Sequence, residues 1–266
     1  MNGKILDPIG MHLGLALDSM TLLQAIKLSA NTSGKVAILK ANDLALDRGS
    51  KDVVEVLSAL IPEKGGIWID SKSFDTDGTM NSTTTKIGGN GARIMSVHLL
   101  NSRNALLSAQ KAADSNACFL TGITILTSYT EEEVLEIFHR SLSELVPWLT
   151  ERGKDLGFKS VVCSATQLPG LIEKGLLKGM VPIIPGTRSM TTIDISNLNP
   201  QAQTDSTENV FKILAENNMQ GIVVLGSEVT KAKNQVQKLA EIKASIQKML
   251  DENGLELLPK IPLLEA

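Results

Sequence analysis

Residues 67–79 read IWIDSKSFDTDGT. Three apolar residues run straight into Asp70, Lys72 and Asp75. The apolar run predicts a buried strand, and the charges fall where that strand ends. Residues two apart on a strand share a face, so Asp70 and Lys72 are expected to point the same way, with Asp75 on the loop beyond. A lysine flanked by carboxylates stays protonated, because nearby negative charge favours the ammonium form. Such a group at the mouth of a barrel can deliver a proton to a carbanion. A solvated strand end with a surface ion pair is the ordinary alternative, and the rest of the chain must separate the two.

Seven more runs of the same kind flank this one. They are LGLALD (13–18), VAILK (36–40), RIMSVH (93–98), CFLTGITIL (118–126), SVVCS (160–164), MVPIIPG (180–186) and GIVVLG (221–226). Helical patterns fall between them: 19–30, 51–61, 82–92, 104–114, 131–157, 165–176 and 207–218, with a last one over about 232–253. Eight alternations predict a single (β/α)8 TIM barrel over residues 1–266, with its core at about 13–230 and the C-terminal helix closing the ring. The 266 residues fit the roughly 250 such barrels need. An open doubly wound sheet normally carries GxGxxG after its first strand, and LALDSMTLL offers nothing similar. The polar run Ser189–Ser206, SMTTIDISNLNPQAQTDS, is too long for a tight turn, and long loops of this kind are often functional lids or disordered segments.

Bulk properties exclude several classes. Apolar residues make up 42% of the chain, ample for a core, and the net charge is −3. A general nucleic-acid binder needs a basic face, so no nucleic-acid partner is expected. No apolar run approaches the roughly 18 residues that span a bilayer, so no membrane partner is expected either. The N-terminal MNGKILDPIG lacks the apolar core of a signal peptide. Cys118 and Cys163 belong to no CxxC pair, and His12, His98 and His139 are scattered. Zinc and redox motifs are therefore unsupported, and the cytoplasm is the expected compartment.

In a barrel of this class the active site lies at the C-terminal ends of the strands. Asp18 ends the first strand, Lys40 the second, Asp70 and Lys72 the third, and His98 the fourth. Thr127 and Ser128 follow the fifth, and Ser164 the sixth. Period-2 reading puts Asp18 on the face of Gly14 and Ala16, and Lys40 on that of Val36 and Ile38. Two acids and two lysines ending three consecutive strands exceed what solubility asks for. The last two loops carry phosphate-binding character, in PGTR (185–188) and LGSEVTKA (225–232), where barrels of this type often hold a phosphate. An ordinary turn and an ordinary helix cap at Ser227 are the plain readings of those loops.

Taken together these residues resemble the orotidine 5′-monophosphate decarboxylase family. The resemblance runs from about Leu13 to Thr230 and rests chiefly on Asp-x-Lys-x-x-Asp, here Asp70, Lys72 and Asp75, with Thr79 shortly after. Asp18, Lys40 and the strand ends SVH, ILTS, VVCS and PGTR support it. One departure stands out: VVLGSEVT places Ser227 where the family has an arginine. A charge-assisted, often bidentate phosphate contact is thereby missing.

The resemblance implies a cofactor-free, metal-free reaction in which orotidine 5′-monophosphate loses CO₂ to give uridine 5′-monophosphate. It implies catalytic roles for Asp70, Lys72, Asp75 and Lys40. Asp70 would sit near the substrate carboxylate, and Lys72 would protonate C6 as the carbanion forms. Asp75 would reach the neighbouring subunit's site, which implies a homodimer with shared active sites. Asp18 and Lys40 would bind ribose hydroxyls, with Thr79 a further substrate contact. Thr127 or Ser128 would contact the pyrimidine. Arg188, Gly226 and Ser227 would hold the phosphate. A glutamine spanning pyrimidine and phosphate would be Gln203, with Gln201 the other candidate. Two other readings keep the barrel. Relatives that act on sugar phosphates with Mg²⁺ carry an acidic metal ligand where this chain has Lys40, whose charge would repel the cation. A nucleotide-binding barrel impaired in catalysis is suggested by Ser227 and opposed by the intact Asp70, Lys72 and Asp75.

Overall fold

The computed structural model describes residues 6–62, 65–190, 205–261 and 264. Among them are the strands β1 (Leu13–Ala16), β2 (Ile38–Ala41), β3 (Gly66–Ser73), β4 (Ile94–His98), β5 (Phe119–Ile123), β6 (Ser160–Val162), β7 (Val181–Pro185) and β8 (Ile222–Leu225). They pair in parallel in chain order, and β8 pairs back with β1 to close a barrel. The helices are α1 (Pro8–Met11), α2 (Leu22–Thr32), α3 (Asp43–Arg48), α4 (Ser50–Ser58), α5 (Asp77–Gly89), α6 (Arg103–Asp114), α7 (Glu131–Phe138), α8 (Leu142–Asp155), α9 (Leu168–Glu173), α10 (Thr207–Glu216), α11 (Ser227–Thr230) and α12 (Gln235–Asn253). The architecture is the expected (β/α)8 barrel.

The pleat divides the core in two. Ala16, Ile38, Trp68, Ile94, Ile123, Val162, Ile183 and Val224 fill the barrel interior. Their neighbours in sequence, such as Leu15, Leu39, Ile69, Met95 and Val223, pack outward among buried side chains of the helices. Because Ala16, Lys40 and Trp68 are successive register partners across β1, β2 and β3, the lysine projects inward with them. At the base of the barrel, the ring nitrogens of His12 lie 2.7 Å from Gly221 O and 2.8 Å from Leu258 O, which ties the segment after α12 to the strands.

Several boundaries differ from those the pattern predicts. The helix expected over 131–157 is two helices, broken at His139 in a left-handed conformation (φ 54°). Thr130 with Glu133, and Ser141 with Glu144, each form a reciprocal capping box, so α7 and α8 both start on local signals. α5 begins at Asp77, before the predicted Ser82, because Thr76 is extended and Asp77 places a carboxylate in the first turn. β3 runs on from Asp70 to Ser73. The short α1 was not anticipated; Asp7 caps it through Gly10 N–H at 2.7 Å, with Pro8 at the first position. Among the described residues, no helix is long and apolar enough to cross a membrane.

Candidate active site

A cavity of about 300 Å³ opens at the C-terminal ends of the strands. Asp18, Lys40, Asp70, Lys72, Thr127, Arg188, Gly226 and Ser227 all line it, with Trp68 beneath and Glu228 on the wall. The expected assembly of strand ends is therefore present. Ser128 is absent from the lining, so Thr127 is the one of that pair that reaches the cavity.

Four charges form an alternating row on the cavity floor. Lys40 Nζ donates to Asp18 at 2.8 and 3.0 Å and to Asp70 Oδ2 at 3.1 Å. Lys72 Nζ donates to the same Asp70 oxygen at 2.6 Å. Lys40 is 6% exposed and Asp70 4%, so each charge depends on its partners rather than on water. Burial alone would push the Lys40 ammonium down, but the Asp70 and Asp18 carboxylates outweigh it and hold it above the ordinary lysine value. Burial alone would push Asp70 up, but Lys40, Lys72 and a hydrogen bond from Ser96 hold it below the usual carboxylate range. The Lys40 ammonium also lies 5.8 Å from the centre of the Trp68 ring, within cation–π range.

The backbone under Lys72 is not a regular strand. Its φ is 47°, in the left-handed region, and the pairing of β3 with β4 shifts register between Ile69 and Ser73. β4 holds this bulge. Ser96 Oγ donates to Asp70 Oδ1 at 2.7 Å and accepts Lys72 N–H at 3.0 Å. Ser71 Oγ donates to Ser96 O at 2.9 Å. On the far side, Asn42 donates to Asp70 O at 2.5 Å. Asp70 and Lys72 do point together, as expected, but through a bulge rather than the pleat.

Asp75 lies away from this chain's own cavity lining, exposed on the loop before α5, and accepts from Thr76 N–H at 2.6 Å. Thr79 is exposed on α5 and accepts a 3.3 Å bond from Thr76 Oγ1. Gln203 and Gln201 fall outside the described residues. Gly186 takes φ 77°, a conformation open to glycine, which brings PGTR over the cavity. The ends of the long loop are joined. Arg188 bridges to Ser206, and Thr207 Oγ1 donates to Thr187 Oγ1 at 3.0 Å. Ser227 is the first residue of α11, with Gly226 at the cap position and no side-chain cap bond, so the ordinary cap reading of Ser227 does not hold.

Several residues of the site were not singled out from sequence. Ser96 had a signal: counting by two from Ile94 puts it on the inner face. Trp68 had the same signal from Asp70. Glu228 had none, since its carboxylate enters the cavity wall while accepting Ser189 N–H at 3.0 Å. His98, at the end of β4, is pushed below the ordinary histidine value by burial and then by Lys72, with Asp70 opposing in part. Cys163 and Cys118 are buried thiols, both pushed up to about 12 by burial, with Arg93 countering slightly at Cys118.

A parallel eight-stranded barrel with a lysine–carboxylate row at its C-terminal mouth defines a (β/α)8 protein with a charged site at the strand ends. The model of the orotidine 5′-phosphate decarboxylase / HUMPS family matches residues 11–242, and the chain belongs to that family. An orotidine 5′-phosphate decarboxylase of Ehrlichia chaffeensis is 24% identical over 237 residues, covering 88% of this chain and 96% of that protein. One from Prochlorococcus marinus subsp. pastoris is 28% identical over 242 residues, covering 87% and 95%. Among solved structures, an orotidine 5′-phosphate decarboxylase from Lactobacillus acidophilus superposes with a TM-score of 0.69 at 20% identity, over 89% of this chain and 99% of the other; this likeness bears on the fold.

Proposed function

We propose that this protein decarboxylates orotidine 5′-monophosphate to uridine 5′-monophosphate, without a cofactor, in pyrimidine biosynthesis. The observation that carries the reading is Asp70, buried and ionised between Lys40 and Lys72 on the cavity floor. Family membership and the relatives' activity support the same conclusion.

The chemistry follows from the charges. The bond between C6 and the carboxylate breaks, CO₂ departs, and the electron pair stays on C6. The Lys72 ammonium gives C6 a proton and is left as an amine, which solvent reprotonates. A cation fixed in advance at the developing negative centre is usually the largest catalytic contribution. Asp70 holds the Lys72 ammonium aimed through their 2.6 Å bond, and Lys40 with Asp18 keeps Asp70 in place while offering polar atoms to ribose hydroxyls. Thr127 serves the pyrimidine. Arg188, Gly226 and Ser227 take the phosphate, with Gln203, or Gln201 in its place, the bridging glutamine that the resemblance implies. Phosphate binding far from C6 supplies energy that can be used in the transition state.

The protein acts as a homodimer in which Asp75 completes the neighbour's site, with Thr79 a further substrate contact. One observation supports this: Asp75 is exposed outside its own chain's cavity, where a neighbouring subunit can meet it. A sugar-phosphate reaction using Mg²⁺ is disfavoured, because the Lys40 ammonium already pairs with Asp18 and Asp70 and would repel a divalent cation there.

Turnover of orotidine 5′-monophosphate, followed by ultraviolet absorbance, tests the reading. Absorbance loss that persists with a chelator present is expected. A folded protein with no turnover, or one that turns over only with added Mg²⁺, would overturn it.

A further inference from the structure

Between β4 and α6 the chain reads LLNS over residues 99–102. An asparagine in a turn ordinarily bonds to its own loop, and Asn101 does so in part. Its Nδ2–H donates to His98 O at 2.8 Å, and its backbone N–H goes to the same carbonyl at 3.1 Å. Its other bonds leave the turn. Oδ1 accepts Asp75 N–H at 2.9 Å, and Nδ2 donates to Ser73 O at 2.9 Å. The two amide hydrogens and the amide oxygen are thus all engaged. One side chain spans the backbone groups on either side of Phe74 and sets the direction in which the chain leaves β3. Asn101 is 2% exposed, so water does not compete for these bonds.

The turn is itself held from behind. Leu99 lies between β5 and α8 so closely that a Cβ on Gly122 would come within 2.6 Å of it, and one on Gly153 within 3.1 Å. The Arg152 guanidinium, from α8, donates to Leu99 O and, at 2.6 Å, to Asn101 O. Two residues fixed on β4 and its turn therefore hold the two halves of the motif. Ser96 holds Asp70 and Lys72, and Asn101 holds Ser73 and Asp75.

We propose that Asn101 is a positioning residue for the reaction: it presents the Asp75 carboxylate and so governs kcat without touching substrate. The inference rests on the role given to Asp75 under Proposed function. Misplacing a catalytic group by about 1 Å can cost about a hundredfold in rate. Asn101→Ala removes three side-chain bonds. Because Asp75 is exposed, its freed N–H finds water, so the loop shifts while the barrel stands.

The test compares kcat and KM for Asn101→Ala in the wild-type and Asp75→Asn backgrounds. The expected result is a kcat loss of about ten- to a hundredfold in wild type, with KM changed less than about threefold, and little further loss once Asp75 is already Asn. An equal loss in both backgrounds would mean that Asn101 acts elsewhere, and overturns the proposal. Mixed dimers give a second readout. Asn101→Ala should regain activity when mixed with Lys72→Ala, because one site then has both an intact Lys72 and a placed Asp75. It should gain nothing when mixed with Asp75→Asn. The reverse pattern also overturns the proposal. The control mixture of Lys72→Ala with Asp75→Asn judges the shared site separately. If that control stays flat with subunit exchange confirmed, the dimer reading fails, and the comparison of backgrounds still decides the role of Asn101. Should Asn101→Ala fail to fold, Asn101→Asp replaces it, since it keeps the acceptor for Asp75 N–H and gives up both donated bonds.

Discussion

Lys72 reaches Asp70 Oδ2 at 2.6 Å from a backbone in the left-handed region, φ 47°. A residue other than glycine held there costs about 1–3 kcal/mol and persists only where its surroundings enforce it. Ser96 and Asn101 supply that enforcement from β4 and its turn. The bulge turns the end of β3 so that Lys72 faces the cavity while Asp75 leaves in another direction. One short motif can thereby serve two places.

Removing the ammonium should stop the chemistry. Lys72→Ala is expected to lower kcat by at least about 10²–10⁴-fold, the usual range for a general acid, and by more because the main cation is lost too. The fold should survive, since Lys40 still partners Asp70 and the bulge is held by the Ser96, Asn42 and Asn101 side chains on backbone groups that the substitution leaves in place. Steady-state kinetics with a circular dichroism spectrum check this. A variant retaining more than about a tenth of kcat would exclude Lys72 as the proton donor.

Much of this was legible in the chain. Apolar runs ending in polar residues give the eight strands, because parallel strands covered on both faces read as near-continuous apolar stretches. Asp18, Lys40 and Asp70 were visible because period-2 counting carries inner-face residues to the strand mouth, whereas Lys72 was named by the same count although a bulge, not the pleat, turns it to the cavity. The break at His139 was less visible, since residues 131–157 keep a helical pattern through it, and the capping boxes at Thr130 and Ser141 had to be weighed above that pattern. Asn101 was hidden for a different reason. Its partners lie on another strand's loop, and no local spacing encodes that pairing.

Stability should depend on pH through His98, Asp70 and Lys40, and in alkali also through Cys118 and Cys163, whose buried thiols are pushed up to about 12 so that their contribution is lost as pH rises. His98 is held below its ordinary value, so the unfolded chain binds its proton more readily. Stability should be full above about 6.5, the unperturbed histidine value, and fall as pH drops through it. Asp70 is also held low, and its contribution, present above the usual carboxylate range, is lost on further acidification. Lys40 is held high; its contribution is present below the ordinary lysine value of about 10.4 and is lost as pH rises through the raised one. Chemical denaturation across pH measures this. His98→Gln should flatten the limb near pH 6.5, and an unchanged limb would assign it elsewhere.

The shared site predicts a specific mixing result. Lys72→Ala and Asp75→Asn should each be nearly inactive alone. Mixed dimers should regain up to one active site in two, because one site then carries neither change. Activity that stays flat, with exchange verified by mass spectrometry, would place Asp75 in its own chain's chemistry or in none.

The phosphate end carries the last prediction. The resemblance puts Ser227 at a position it expects to be arginine, and the neighbouring Glu228 brings a buried carboxylate to the same wall. With the phosphate placed as proposed, Arg188 is the cation lining that end of the cavity on which its binding should depend. A hydrogen bond to a charged group contributes roughly 1.5–3 kcal/mol, and about 1.4 kcal/mol is one decade in affinity. Arg188→Ala should weaken uridine 5′-monophosphate binding by at least about tenfold. Ser227→Arg should tighten it by restoring a bidentate partner, unless Glu228 captures the new guanidinium. Combining Ser227→Arg with Glu228→Gln separates the two effects, because the neutral amide no longer competes for the cation. Calorimetric titration of the product into wild type and the three variants gives the comparison. If Arg188→Ala binds as tightly as wild type, the phosphate is held elsewhere than the loops after β7 and β8.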